Sequence, residues 1–173
     1  MIKIRELELD DIQEVKLWLN DPIFRSDFIP FDREISEASF AVLLSNSINK
    51  QGAEKFLVIL NDLTLVGLLL CIKPKKFDYC EIGYYVVPNQ RRKNIATKAL
   101  SDLVDYVFKN YRVLRIEAGT SSLNIASQRL LEKAGFTKEG IRRKTLFRNG
   151  KWEDSYLYAF VKEEPSRLSL TKG

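Results

Sequence analysis

The chain has 173 residues, a length that suits a single domain able to bury its own core without disulfide or metal cross-links. Hydrophobic residues make up 45% and charged residues 29%, and no apolar run reaches the roughly 18 to 20 residues that span a bilayer. The formal net charge of +5 favours an anionic ligand, and the absence of histidine excludes Ser-His-Asp and Cys-His catalysis and most zinc sites. We therefore expect no metal site, and a general base that is a carboxylate, an amine, a phenol or water.

The N-terminal sequence enters a strand pattern at once, without the features of a signal peptide, and predicts a cytoplasmic protein. No linker or repeat interrupts residues 1–163, so we predict one domain there and a loosely held tail over 164–173. Cys71 and Cys80 are predicted to be free, buried thiols, although a tight turn at 74–77 would bring them opposite each other.

Hydrophobic periodicity predicts the elements in chain order. A first strand at about 2–8 precedes a helix that stops at Asn20-Asp21-Pro22, and a second helix is predicted over 36–49. Three apolar runs then indicate a β-meander with strands at 56–60, 65–72 and 79–87. The remaining elements are a helix at 95–110, a strand at 113–118, a helix at 125–134, and strands at 136–147 and 153–162. This order, β-α-α-β-β-β-α-β-α-β-β, predicts an α/β (α+β) fold, a mixed sheet with helices on both faces.

The segment 81–100 joins a strand that ends at Pro88, a short basic loop and a long amphipathic helix. The first-turn N–H groups of such a helix and its dipole form an anion site suited to a diphosphate. Arg91, Arg92 and Lys93 add positive charge there, although a solvated basic turn would explain these charges equally well.

Arg91-x-x-Asn94-x-Ala96-Thr97 resembles the acetyl-CoA signature of the GNAT superfamily of N-acetyltransferases, in which Gln/Arg-x-x-Gly-x-Gly/Ala wraps the cofactor's pyrophosphate. Asn94 replaces the usual glycine, and asparagine is the residue next most tolerant of the left-handed conformation. A second segment, 124–140, resembles the family pattern that runs from Asn-x-x-Ser to Phe-x-x-Glu-Gly. Together with Trp18-Leu-Asn20-Asp21-Pro22, Asp154 and Tyr158, it points to the RimJ/RimL-like branch, the ribosomal-protein N-terminal acetyltransferases.

The resemblance implies a mostly antiparallel, twisted sheet of about seven strands, in which the strand before the phosphate loop splays from its neighbour. It implies acetyl-CoA as cofactor, CoA as product, and direct attack of a primary amine on the thioester. The cofactor-binding residues that it implies are Tyr85, Val86, Val87, Arg91, Arg92, Lys93, Asn94, Ile95, Ala96, Thr97 and Asn124. Asn124 is also a natural N-cap for the helix at Ile125, and the two roles are compatible.

The resemblance offers two candidates for the general base. In RimL-like enzymes the base would be Glu139, with Ser127 as proton donor; in another subset it would be Glu81, on the cofactor strand. Either carboxylate would equally serve as an exposed strand residue. Leu131 stands where many relatives have a tyrosine acid, which leaves Tyr84 or Tyr85 as a weaker substitute.

The resemblance implies that the acceptor enters between the first helices and the final hairpin. The substrate-binding candidates are Asn20, Asp21, Phe24, Phe28 and Phe31, and the phenylalanines would form an apolar wall or simply belong to the core. The acidic residues that could hold a cationic amine are Asp21, Asp27, Asp32 and Asp154.

The acceptor class stays open between a protein N-terminal amine and a small-molecule amine such as an aminoglycoside, a polyamine or an amino sugar. A basic RNA-binding module is disfavoured, because no aromatic residues alternate with the basic cluster at 91–93. No membrane partner is expected, and the pattern leaves a homodimer open.

Overall fold

The computed structural model describes residues 1–28, 35–51, 53–74, 78–148 and 150–163, without the side chains of Ser26 and Asp27. Within these residues, seven strands form one sheet: β1 (Ile2–Glu6), β2 (Glu54–Asn61), β3 (Thr64–Ile72), β4 (Tyr79–Val86), β5 (Arg115–Ser121), β6 (Thr137–Arg148) and β7 (Lys151–Val161). Their order across the sheet is β1-β2-β3-β4-β5-β7-β6, and every neighbouring pair is antiparallel except β4 with β5. The predicted order of elements and the mostly antiparallel seven-stranded sheet are confirmed.

In the described part of the chain, four α-helices accompany the sheet: α1 (Ile12–Leu17), α2 (Glu37–Ile48), α3 (Ile95–Asn110) and α4 (Ile125–Lys133). One buried cluster joins α3 and α4 to one face of the sheet, and a second joins α1, α2 and a π-helical segment at Phe24–Phe28 to the other face. Leu100, Leu103 and Val107 lie on the buried stripe of α3, as its amphipathic pattern predicts. Helices therefore cover both faces of the sheet, which buries its central strands on both sides.

Several boundaries differ from the predicted ones. β5 begins at Arg115 and continues to Ser121, because its pairing with β7 extends to Ser155. At the N-terminus a 3-10 turn at Leu9–Asp11 precedes α1. Asp11 occupies the N-cap position of α1, and its buried carboxylate accepts hydrogen bonds of 2.7 and 2.8 Å from Arg5.

Cys71 and Cys80 are both free and buried, as predicted. No helix among the described residues is both long and apolar enough to cross a membrane. The predicted tail at 164–173 lies outside the described residues.

The two parallel strands part half-way along their length. Tyr79–Glu81 of β4 pairs with Arg115–Glu117 of β5, and beyond these residues no β4–β5 pairing continues, although β4 runs to Val86 and β5 to Ser121. β4 stays paired with β3 along this length, while β5 stays paired with β7. The sheet therefore opens into a cleft between the carboxyl ends of β4 and β5, and Glu81 and Glu117 lie at its vertex.

Candidate active site

Two helix N-termini lie at the open end of the cleft. α3 follows β4 after a 3-10 turn at Pro88–Gln90, and α4 follows β5 after a short connection. Because the two strands are parallel, both helices start at the same end of the sheet. The N–H groups of the first turn of each helix have no intrahelical partners and favour anions.

The basic bend before α3 contains two residues in the left-handed conformation, Arg92 with φ 62° and Asn94 with φ 59°. Asn94 thus adopts the conformation that the signature's glycine would allow, at the position that caps α3. Ile95 is buried with 3% exposure, so only its backbone is available to a ligand, while Arg92 and Lys93 are exposed.

Arg91 turns away from this bend toward the sheet. Its Nε donates a hydrogen bond of 2.8 Å to the Val86 carbonyl, its guanidinium lies 5.5 Å from the Tyr85 ring centre, and its NH2 is 3.8 Å from an Asp21 oxygen. The Tyr85 hydroxyl donates to the same carboxylate at 2.6 Å. Arg91 therefore joins the loop to β4 and to the first helical region, and the charge at the mouth of the anion site comes from Arg92 and Lys93.

Asp21 and Tyr85 influence each other's ionisation. Burial alone would raise the pKa of Asp21, but hydrogen bonds from Tyr85 and from the Ile23 N–H, with Arg91 nearby, bring it below its ordinary value. Burial and the neighbouring carboxylate raise the pKa of Tyr85 well above its usual range. Asp21 is therefore an ionised, engaged carboxylate and Tyr85 a poor proton donor.

A hydroxyl pair spans the other side of the cleft. Asn124 caps α4 by accepting a 3.0 Å hydrogen bond from the Ser127 N–H, which confirms its predicted capping role. The Ser127 hydroxyl lies 2.5 Å from the hydroxyl of Tyr84, a residue in the parted stretch of β4. The pair connects the unpaired length of β4 with the N-terminus of α4, which places two exchangeable protons inside the cleft.

Glu81 occupies the vertex of the cleft in a partly buried position. Burial raises its pKa above the ordinary value, the nearby Glu117 raises it further, and Arg142 opposes both effects. A carboxyl with a raised pKa is a stronger base once it is ionised, and this is the direction that general-base catalysis near neutral pH requires.

Glu139 lies in different surroundings. It sits at an irregularity in the β6–β7 pairing, and its two oxygens accept hydrogen bonds of 3.0 and 2.5 Å from the guanidinium of Arg115. These hydrogen bonds lower the pKa of Glu139 below its ordinary value. No contact within the described residues joins it to Ser127, so the structure does not bring together the predicted base and donor.

The sequence matches the Acetyltransferase (GNAT) domain over residues 2–137. That match covers well over half of the chain and includes the cleft, the basic bend and α4. The chain belongs to the GNAT acetyltransferase family. It is an N-acetyltransferase, as the two motifs predict.

Curated relatives agree with this assignment. The uncharacterized N-acetyltransferase YnaD of Bacillus subtilis (strain 168) is 33% identical over 162 residues, or 93% of this chain and 94% of that protein. The probable N-acetyltransferase YjcK of the same strain is 46% identical over 80 residues, which span 46% of this chain and 44% of that protein. The [ribosomal protein uS5]-alanine N-acetyltransferase of Escherichia coli (strain K12) is 31% identical over 85 residues, or 49% of this chain and 44% of that protein.

Solved structures share the fold. A spermidine N-acetyltransferase from Vibrio cholerae, in complex with CoA and spermine, gives a TM-score of 0.82 at 21% identity and covers 93% of this chain and 95% of its own. RimL, a ribosomal L7/L12 alpha-N-protein acetyltransferase in complex with coenzyme A, gives 0.81 at 16% identity and covers 93% and 94%. The predicted RimJ/RimL-like resemblance is confirmed by the family match and by the curated relatives, among them the uS5-alanine N-acetyltransferase.

The site of this GNAT enzyme suits acetyl-CoA, the predicted cofactor. The bend at Arg92–Asn94 and the start of α3 offer N–H groups and two exposed cations to a diphosphate. The unpaired edge of β4 offers backbone groups to an arm that carries amides. These features fit the diphosphate and the amide-bearing arm of the cofactor.

Several residues predicted to bind the acceptor are buried or already engaged by other side chains. Phe24 and Phe28 are 0% and 3% exposed and pack in an aromatic cluster with Trp18, Phe40 and Phe56, so core packing describes them better than an acceptor wall. Asn20 is exposed at the end of the first helical region, while Phe31 and Asp32, and the side chain of Asp27, lie outside the described residues. Asp154 accepts a hydrogen bond from the Lys144 N–H.

Sequence reasoning did not find the contributions of Glu117, Arg115 and Arg142. Alternation along β5 could have placed Glu117 on a polar face of an otherwise buried strand. The register of β4 against β5, however, is not visible in either strand alone.

Proposed function

We propose that this GNAT enzyme transfers the acetyl group of acetyl-CoA to a primary amine by direct attack, with Glu81 as general base. The observation that carries the proposal is the parted β4–β5 pair, with a carboxylate of raised basicity at its vertex and a hydroxyl pair across it. When bound, acetyl-CoA supplies a thioester that an amine can attack. The chain's own residues then have to hold the cofactor, accept one proton and donate another.

Backbone groups of β4 and α3 contribute more to acetyl-CoA binding than side chains do. The β4 edge at Tyr85, Val86 and Val87 would hold the amide-bearing arm, and the α3 N-terminus would hold the diphosphate with help from Arg92 and Lys93. Ala96 and Thr97 contribute their N–H groups in the first turn of α3, as Ile95 does. Arg91 acts indirectly, since its side chain holds the loop against the Val86 carbonyl and Asp21.

Glu81 accepts the proton of the attacking amine, directly or through one water. Its position at the vertex places it next to the stretch where β4 loses its β5 partner. Its raised pKa makes it a better proton acceptor than Glu139, whose carboxylate is committed to Arg115. This assignment prefers one of the two alternatives that the resemblance left open.

The Tyr84–Ser127 pair donates a proton to the departing thiolate. Their hydroxyls are 2.5 Å apart, so a proton given up by Ser127 is replaced by the one from Tyr84. Tyr85 is not suited to this task, because its hydroxyl already donates to Asp21 and its pKa is raised.

A protein N-terminal amine is the proposed acceptor. The relatives include a uS5-alanine N-acetyltransferase, and Asp21, an acidic residue that could attract a polycation, is engaged by Tyr85 and Arg91. A small-molecule amine is the alternative, since a spermidine N-acetyltransferase shares the fold.

The test is an acceptor screen in which free thiol from released CoA is measured. Peptides that begin with alanine or serine are compared with spermidine, an aminoglycoside and an amino sugar at equal concentration. The proposal expects turnover with free N-terminal peptides and none with the same peptides blocked by acetylation. Turnover with polyamines alone would show that the acceptor is a small-molecule amine. No thiol release with any amine would contradict the proposed acetyl transfer.

A further inference from the structure

Glu81 and Glu117 stand side by side where β4 and β5 begin to part. They are direct partners in the parallel register, which is the last pair before the strands separate. Residues paired in this way on adjacent parallel strands project to the same face of the sheet.

The packing on each strand identifies this face. On β4, Tyr85 packs among the aromatic residues of the cluster below α1 and α2, and a β-carbon on Gly83 would lie 3.8 Å from Phe28. On β5, Ile116 and Ala118 belong to the opposite cluster, below α3 and α4. Glu81 and Glu117 therefore both face the side of α1 and α2, and two carboxylates share the vertex of the cleft.

Arg115 holds Glu117 in place as an ion pair. Its Nε donates to Glu117 at 2.7 Å, and the two terminal nitrogens of the same guanidinium bind Glu139. Glu81 has no such partner, because no ion pair of 4.0 Å or less is found for it among the described residues. The pair is therefore asymmetric: Glu117 forms an ion pair with Arg115, and Glu81 forms none among the described residues.

Arg142 supplies the opposing charge. A β-carbon on Gly119, two residues beyond Glu117 on the same face, would lie 2.9 Å from the Arg142 NH2, so the guanidinium covers β5 at this point. The groups that face Glu81 from neighbouring elements are thus Glu117 and Arg115 from β5, Arg142 from β6, and the apolar Ile72 from β3, within the part of the chain that the structure describes.

We propose that Glu117 is a positioning residue that keeps a second negative charge beside Glu81 and so adds to the effect that burial has on its strength as a base. The inference rests on the proposed role of Glu81. Arg115 keeps the Glu117 carboxylate fixed. The positive charge of Arg142 partly offsets the repulsion between the carboxylates of Glu117 and Glu81. Burial has the largest effect on the ionisation of Glu81, and the two neighbouring charges adjust the pH at which the carboxylate forms.

The experiment measures the titration of Glu81 in the intact chain by the carboxyl ¹³C shift, assigned by its loss in Glu81→Gln. Glu117→Gln removes the neighbouring charge with little change of shape, so the Glu81 titration should move to lower pH. Arg142→Gln should move it in the opposite direction, and Glu117→Asp should stay near the wild type. The ascending limb of kcat against pH should follow the same order for a single acceptor.

Glu139→Gln is the matched control, because it removes the same charge from the other partner of Arg115. It should leave the Glu81 titration almost unchanged. An unchanged Glu81 titration in Glu117→Gln, with Glu81→Gln inactive, would overturn the inference alone. Full turnover in Glu81→Gln would instead overturn the choice of base and the inference with it.

Discussion

Two glutamates that the family resemblance makes equal candidates end in opposite environments. Glu81 is partly buried, beside a second carboxylate, and its pKa is raised; Glu139 is bound by both terminal nitrogens of Arg115, and its pKa is lowered. The residue type and the chemistry are the same in both places. Burial and neighbouring charge alone decide which carboxylate is suited to accept a proton.

The largest expected effect tests this contrast directly. Glu81→Gln should lower kcat by about 100-fold or more, the usual contribution of a general base, whereas Glu139→Gln should lower it by less than about threefold. Steady-state assays of CoA release from both variants provide the measurement. An equal loss of kcat in the two variants would contradict the choice of Glu81 over Glu139 as the general base.

Ser127 and Glu139 belong to the same sequence motif, but Ser127 contacts Tyr84 of β4 and Glu139 binds Arg115. The two residues of the motif should therefore differ in their effect on catalysis. Ser127→Ala and Tyr84→Phe should each lower kcat by about 10-fold, and the double variant should lose no more than the worse single one, because the two hydroxyls act as a unit. The cofactor Kd should change little in Tyr84→Phe. Additive losses would show that the hydroxyls work separately.

The basic bend provides a second, smaller contrast between neighbouring arginines. Arg92→Ala should weaken acetyl-CoA binding by roughly threefold to tenfold through a lost charge, and raised salt should reduce the difference. Arg91→Lys should also weaken binding, because a lysine retains the charge but cannot reproduce the guanidinium contacts of Arg91. Calorimetry at two salt concentrations separates these cases. A salt-dependent loss in Arg91→Lys would mean that Arg91 meets the phosphates itself.

The smallest effect is on stability, and its sign differs between the two glutamates. The raised pKa of Glu81 means that its ionisation at neutral pH costs native stability, so Glu81→Gln should raise Tm slightly at pH 7.5. The pKa of Glu139 is lower in the native state than in the unfolded chain, so its ionised form stabilises the native state at pH values above the unfolded-state pKa. Glu139→Gln should therefore lower Tm slightly at pH 7.5.

Both differences should shrink toward pH 4, as the Glu81 carboxyl becomes protonated in the native state and Glu139 begins to be protonated in the unfolded chain. Thermal melts of the two variants and the wild type at both pH values provide the comparison. Shifts of the same sign at pH 7.5 would contradict the assigned environments.

Much of the fold could be predicted because its signals are local. The amphipathic stripe of α3 and the cap at Asn124 each depend on residues a few positions apart. The left-handed conformation of Asn94 follows from a preference of the residue itself. The π-helical segment at Phe24–Phe28 has no such signal and was not predicted.

The sequence by itself determined the order of elements, the helix caps, the basic bend and the family to which these motifs belong. Only the tertiary structure decided that Arg91 turns toward Asp21, that Tyr84 meets Ser127, and that Glu81 and Glu117 lie together while Arg115 takes Glu139. Local conformational preferences depend on neighbouring residues, which a sequence displays. The ionisation of a carboxyl depends on charges that strand register brings together from positions tens of residues apart.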